Sequence, residues 1–487
     1  MKKFLTILGS IGLTATVGSN VVSCVAPKYA PGFEGQRVVT ITDGGQITDH
    51  SFDQATYEGM MKYYDSAYNN NDVDSMFHVD PKDNYIVPQD SSITSLSSSY
   101  RLAKLKKADA LLLAGFVHMA PLDKAVKLFE DKTIVMIDGS APDPEVKKTE
   151  GPYKNVISVL FNSQIAGMQA GFDAAYWATQ KDGKGNLYGA TISPDQKEIT
   201  IGMFGGVTGK YAVDNYLWGM MLGIAVFNEY YSPENVSARN VKNSTKEETR
   251  AKIKLANVTS GEIKDVKITD QNPSFYTGGF ELGQATRSGI APGLINGNKS
   301  LKPADIIFPV AGSQIEDVIG SSRINSVGFK QPYLVGVDVD QAGVYTNENA
   351  KDRFVTSAIK NIQDASDQAL LHASSLKTAE GEELVDRKEV WDGTKPDPYL
   401  NWSIAQTKGN NKITKNKLHL FNGDGNAKVT GDDKLIEMVN NFYASTGTNV
   451  GDYMDGAKIV KLAQDIVKAS QDGKFNLVND KESIGGK

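Results

Sequence analysis

From Arg37 onward the chain alternates short, almost uninterrupted apolar runs with stretches of helical periodicity. "RVVTIT" is followed by an amphipathic segment from Ser51 to about Ala67, "ADALLLAG" by a helical stretch from about Pro121 to Asp131, and then comes "TIVMID". The pattern continues through "NVISVLF", a helix from Ser163 to about Thr179, "ITIGMFGG", a helix from about Ala212 to Tyr230, "DVKIT", "ADIIFPVAG" and "PYLVGVD". Strands apolar on both faces must be covered on both faces, so this order predicts βαβ units and a parallel sheet flanked by helices. About nine such strands over roughly 320 residues exceed one comfortable core. The expected fold is therefore α/β, with two doubly wound, Rossmann-like lobes and a ligand cleft between them. Ligands of such sheets sit beyond the carboxyl ends of the strands, which directs attention to Asp43, Gly115, Asp138, Gly205, Gly312 and Asp338.

Charge narrows the partners. The 487 residues carry a formal net charge of -6, with acidic and basic residues spread along the chain, so no basic groove for nucleic acid is expected. The single cysteine excludes a disulfide framework, and five histidines with no HExxH pattern give no zinc signature. That cysteine, Cys24, ends "MKKFLTILGSIGLTATVGSNVVSC": two lysines, an apolar stretch, then small residues, the layout of an export signal. The stretch is shorter than the roughly 20 apolar residues of a spanning helix. Val21-Val22-Ser23-Cys24 resembles a bacterial lipobox, where the thiol takes lipid and the peptide is cut before it. The expected layout is a signal peptide at 1–23 and a lipid-anchored tether at 24–36. A first lobe follows at 37–158 plus about 358–487, where it carries a C-terminal extension. The second lobe occupies 159–357, with a polar surface insertion at about 232–263. The anchored chain is expected at the cell membrane, on its extracellular face.

The segment Thr40 to Met60 places Asp43-Gly44-Gly45 after a strand and Ser51 at a helix start. Glycines permit close backbone approach, a helix start offers free N–H groups, and Asp43, Asp49 and Asp53 could take hydroxyls or a hard cation. Two decoys fail: "GGVTGK" has one residue too few between its glycines for a phosphate loop, and "NGDGNAKVTGDD" lacks the glycine and closing glutamate of a calcium loop.

"TDGGQITDHSFDQATYEG" resembles the entry motif of the basic membrane protein family, lipid-anchored substrate-binding proteins of nucleoside ABC importers. "LLLAGFVHMAPLDKAVKLFEDKTIVMIDG", "NVISVLFNSQIAGMQAGFDAA" and "YLVGVDVDQ" followed by "VTSAIKNI" agree in the same order. The resemblance implies a type I periplasmic-binding-protein fold, a nucleoside ligand with purine preferred, and permease and ATPase subunits as partners. It implies no catalytic group and no cofactor. Carried over residue by residue, Phe52 and the more loosely matched Phe280 would stack on the base. Asp43 and Asp338 would take base-edge and ribose hydrogens, and Lys360 would be the cleft lysine. Gly44, Asp53, Gly115, Tyr211 and Gly312 complete the expected ligand site, with Cys24 for lipidation. Asp53 stands where the family often has Asn and His50 where it often has Lys. Tyr211 and Tyr216 are candidates for a further aromatic wall. Two other classes remain open on the residues alone: a surface nucleoside hydrolase using Asp43, Asp49 and Asp53 on a metal, and an adhesin or antigen on a binding-protein fold.

Overall fold

The computed structural model describes residues 35–72, 79–139, 155–210, 212–243, 246–323, 330–345, 350–373, 375–377, 428–429, 432–446 and 450–478. The signal, Cys24, Tyr211 and most of the calcium-loop-like segment lie outside them. Among the described residues ten strands form two sheets. The first contains β1 (Val38–Ile41), β2 (Tyr85–Ile86), β3 (Ala110–Ala114), β4 (Thr133–Ile137) and β5 (Val156–Val159), in the order β2-β1-β3-β4-β5. The second contains β6 (Ile199–Gly205), β7 (Ile253–Leu255), β8 (Ile306–Val310), β9 (Tyr333–Asp338) and β10 (Phe354–Ile359), in the order β10-β9-β8-β6-β7. All neighbouring strands pair in parallel. Counted from its own first strand, each sheet has the same doubly wound order, and each reverses direction beside that first strand: between β1 and β3, and between β6 and β8. Crevices form where the order reverses, because the connecting helices leave on opposite faces.

Each sheet is covered on both sides, as its apolar runs require. Helices α1 (Phe52–Tyr68) and, much later in the chain, α6 (Ile362–Leu371) bury Tyr63, Tyr64, Ile362 and Leu370 against Leu112, Val135 and Ile157. On the opposite face α2 (Ile93–Leu105) and α3 (Leu122–Leu128) bury Leu96, Tyr100 and Leu122 with Val39, Leu111 and Ile134. Helices α4 (Ser163–Ala178) and α5 (Val213–Tyr230) cover one face of the second sheet.

These last two helices approach closely. A Cβ on Gly167 or Gly171 would lie 2.6 and 2.4 Å from the carbonyl oxygens of Tyr216 and Met220. One on Gly219 or Gly223 would lie 2.2 and 2.0 Å from those of Gln164 and Met168. Four glycines, spaced four apart on each helix, thus bring backbone against backbone. Helix α5 is buried from Val213 to Phe227. A helix apolar all round needs cover on every side. The cover on its far side comes from the C-terminal helix Gly456–Gln471, whose Ile459, Ala463, Ile466 and Val467 join the same core.

Three expectations about layout are corrected by these contacts. The described part of the extension, from residue 428, packs on the second lobe, not the first, because α5 offers it an apolar face; of the described residues after β10, helix α6 and, beyond it, Ala373, Ser375 and Leu376 pack on the first lobe. The stretch at about 232–263 is not a surface insertion alone: Ile253 and Leu255 are buried in β7, an edge strand paired to β6. "DVKIT" forms no sheet strand. Val266 and Ile268 are buried against the extension, where the Gly456 N–H donates to the Val266 carbonyl at 2.9 Å. The chain crosses between lobes after β5 and after β10, so the expected boundaries at 158/159 and 357/358 fall within the last residues of those strands. Among the described residues no helix is long and apolar enough to cross a membrane.

Candidate functional site

The two order reversals face each other, and between them lies a cavity enclosing about 480 Å³ of space free of protein atoms, its mouth included. Asp43, Gly115 and Asp138 reach it from the ends of β1, β3 and β4. Gly312, Asp338 and Lys360 reach it from β8, β9 and β10. Four aspartates and one lysine line it, together with Phe52, Phe116, Tyr216 and Phe280.

Lys360 is the centre of the charged side. Its ammonium pairs with the Asp138 carboxylate of the first lobe and lies 3.5 Å from the Asp338 carboxylate of the second; all three residues are at most 5% exposed. Three rings surround it, with Nζ 4.8 Å from the Tyr216 centroid, 5.2 Å from Phe52 and 5.7 Å from Phe161. Electron-rich ring faces attract a cation, so the rings offset part of its lost hydration. Asp338 also accepts from the hydroxyls of Tyr216, at 3.2 Å, and Ser51, at 3.1 Å. Burial pushes the Asp138 carboxyl up to about 6, against the opposing pull of the Lys360 charge. Oδ1 of Asp138 is buried with no hydrogen-bond partner among the described residues, an acceptor that a bound hydroxyl or amine could satisfy.

The three aspartates of the Asp-Gly-Gly segment have separate tasks. Asp49 accepts backbone N–H bonds from Ser51 at 2.9 Å, Gln54 at 3.0 Å and Asp53 at 3.3 Å, and so closes the free end of α1. Both its oxygens are engaged there, and it does not line the cavity. Asp43 and Asp53 do line it. The Asp43 N–H donates to Asp53 at 3.3 Å, and the Gly45 N–H donates to Asp43 at 3.2 Å. Burial pushes Asp43 up to about 6 and Asp49 to about 7; burial, then the charges of Asp43 and Asp49, pushes Asp53 well above the usual carboxylate range. A proton on Asp53, whose carboxyl is the more strongly raised, would make the pair both donor and acceptor. The metal-centred alternative draws on all three carboxylates, and Asp49 does not join Asp43 and Asp53 on the cavity wall. Among the described residues no group of three or more His, Cys, Asp and Glu could hold a metal.

The aromatic walls come from both lobes. Phe52 opens α1, while Phe280 lies against Gly206, where a Cβ would sit 2.4 Å from the ring. Phe116, from the turn after β3, meets Phe280 edge-on at 6.2 Å across the cleft. Other contacts also join the lobes: the His50 carbonyl accepts from Gln341 at 3.1 Å, and its ring is edge-on to Tyr345 at 5.1 Å. The lobes are therefore closed on one another.

Of the residues expected at a ligand site, Asp43, Phe52, Asp53, Gly115, Phe280, Gly312, Asp338 and Lys360 line this cavity together. Gly44 does not. Its φ of 117° turns the backbone so that a Cβ would face Ser91, and Gly45 takes its place on the wall. Tyr211 lies outside the described residues. Tyr216, expected only as a further wall, is a full member, and Phe116, Ala212, Val213 and Val310 line the cavity beyond the expected residues. Asp138 was noted as a strand-end residue, a signal that could have placed it.

No family model matches this chain. A curated relative from Mycoplasma pneumoniae, described as an uncharacterized lipoprotein and MG040 homolog, is 23% identical over 402 residues. The match covers 73% of this chain and spans only 58% of the relative's length. Among solved structures, an ABC transporter solute-binding protein from Aeropyrum pernix K1 is 15% identical with a TM-score of 0.43, covering 92% of this chain and 94% of that one. A solute-binding protein from Clostridium phytofermentas with bound L-rhamnose is 12% identical with a TM-score of 0.36, covering 70% and 81%. The fold stated above stands on its own strand order and not on these similarities.

Proposed function

We propose that this chain is the extracytoplasmic substrate-binding lipoprotein of an ABC importer, capturing a nucleoside, with a purine nucleoside expected, by closure of its two lobes. The observation that carries the reading is the joint wall of the cavity: aromatic rings from both lobes beside carboxylates from both lobes and a single ammonium. A nucleoside has a planar base with two π-faces and a polar edge, and a ribose rich in hydroxyls. Phe52 and Phe280 supply stacking, worth roughly 1–3 kcal/mol per ring. Asp138 and Asp338 accept from ribose hydroxyls, Lys360 donates, and the pair Asp43 and Asp53, protonated on Asp53, reads the base edge.

Opening at the crossovers between the lobes would separate these groups and admit the ligand; closing would desolvate it between them. A lipid on Cys24 would hold the protein at the outer face of the cell membrane, where the permease and ATPase subunits could receive the ligand. The Mycoplasma pneumoniae relative is likewise described as a lipoprotein.

Titration calorimetry with guanosine, adenosine, inosine, uridine and ribose tests the reading. Micromolar or tighter binding of the purine nucleosides is expected, at about -8 kcal/mol or better. No binding below the millimolar range for any of the five would overturn it.

A further inference from the structure

The second-lobe wall of the cavity is not held by its own lobe alone. Ala212, Val213 and Tyr216 line the cavity from the start of α5, and the loop before them presses Gly209 against Phe116 of the first lobe. That loop is tied down through Asp214. Its carboxylate accepts from the Gly209 N–H at 3.1 Å, the Thr208 hydroxyl at 2.8 Å and the Tyr276 hydroxyl at 2.7 Å. A fourth bond comes from the C-terminal extension, the Tyr453 hydroxyl at 2.8 Å.

A second tie lies beside it. The Tyr443 hydroxyl donates to the Lys210 carbonyl at 2.6 Å, and the Lys210 ammonium lies 5.3 and 5.2 Å from the Tyr443 and Tyr453 ring centroids. Behind the loop, Phe442 stacks on Trp218 of α5 at 5.8 Å with the rings 7° apart. Asn440 accepts from Gln164 at 2.9 Å, which in turn accepts from Asn215, the neighbour of Tyr216.

We infer that the C-terminal extension is a brace for the ligand cleft: Tyr443 and Tyr453 are positioning residues that set the wall formed by 206–210 and 212–216 without touching the ligand. The inference rests on the reading of the cavity as the ligand site. A loop carrying Gly206 and Gly209 has many conformations to lose on ordering. Bonds made before the ligand arrives place that cost on folding and leave less of it on binding. The brace therefore acts on affinity, and both of its hydroxyls can be removed without removing a ring.

The test compares the full chain with Tyr443→Phe/Tyr453→Phe and with Lys461→Ala, an exposed control in the same extension. Amide hydrogen exchange is followed across 206–216 in the ligand-free proteins, and guanosine and inosine affinities are measured by calorimetry. The double variant is expected to exchange faster in 206–216, keep protection in the β1–β5 sheet, and bind about tenfold more weakly; the control should change neither. Unchanged protection of 206–216 overturns the brace, whatever the ligand. Lost protection with unchanged affinity overturns its link to binding. If the wild-type chain binds neither nucleoside, the proposed function fails while the exchange comparison still judges the brace. Should the double variant not fold, Tyr443→Phe alone carries the same comparison, since its hydroxyl is only part-buried.

Discussion

Asp138 and Asp338 occupy the same place in the two lobes. Each closes the fourth strand of its sheet, each has a left-handed backbone with φ of 64° and 66°, and each directs its carboxylate to Lys360. A non-glycine residue pays roughly 1–2 kcal/mol for that conformation, which here turns two side chains toward the cleft from opposite sides. Lys360 follows β10, where the chain returns to the first lobe, so one ammonium joins both halves at the crossover.

Replacing that ammonium leaves carboxylates buried without their partner. Lys360→Met is expected to destabilise the fold by about 3 kcal/mol at pH 8, the scale for breaking a buried pair. The loss should shrink at pH 5, where Asp138 takes up a proton. Urea unfolding at both pH values checks this; an equal loss at each would contradict it.

The raised carboxyls of Asp43 and Asp49 set a pH dependence of known sign. A carboxyl whose value is higher folded than unfolded binds its proton more tightly in the folded state. The stability it contributes is complete below about 3.8 and is lost as the pH rises through about 6 for Asp43 and about 7 for Asp49. The ligand-free protein should therefore be harder to unfold in urea at pH 5 than at pH 8. Asp53→Asn, which removes a third carboxyl held far above its ordinary value by burial, should flatten the difference. A pH profile for the variant parallel to that of the wild type would count against the proton on Asp53.

Phe52→Ala removes one stacking ring, and Asp338→Ala removes an acceptor that also holds Tyr216 and Ser51. Each is expected to weaken nucleoside binding at least about tenfold, or 1.4 kcal/mol. Calorimetry with both variants decides it, and wild-type affinity in the two together would refute the assigned site.

The backbone contact of α4 with α5 predicts a steric cost. Gly223→Ala would place its methyl 2.0 Å from the Met168 carbonyl oxygen. The helices must then separate, at an expected cost of about 1–3 kcal/mol in urea unfolding. Gly183→Ala, whose added methyl meets nothing within 4 Å, is the control.

Local pattern was enough to determine the architecture. Continuous apolar runs in alternation with helices leave few arrangements other than a covered parallel sheet, and the same runs point to the strand-end residues Asp43, Asp138 and Asp338. Resemblance added Phe52, Phe280 and Lys360. What remained hidden depended on contacts between distant segments. Gly44 and Gly45 are equivalent as letters, and a φ of 117° decides which of them faces the cavity. Asp49 has the composition of a ligand-binding residue, yet the open end of α1 claims both its oxygens. Tyr443 and Tyr453 lie more than 200 residues from the loop they hold. The alternation of apolar and polar residues determined the layers of this protein by itself, because each element must bury its own apolar face. Only the tertiary structure decided which carboxylates share the cleft and what the extension supports, because burial and hydrogen-bond partners arise when segments far apart in the chain meet.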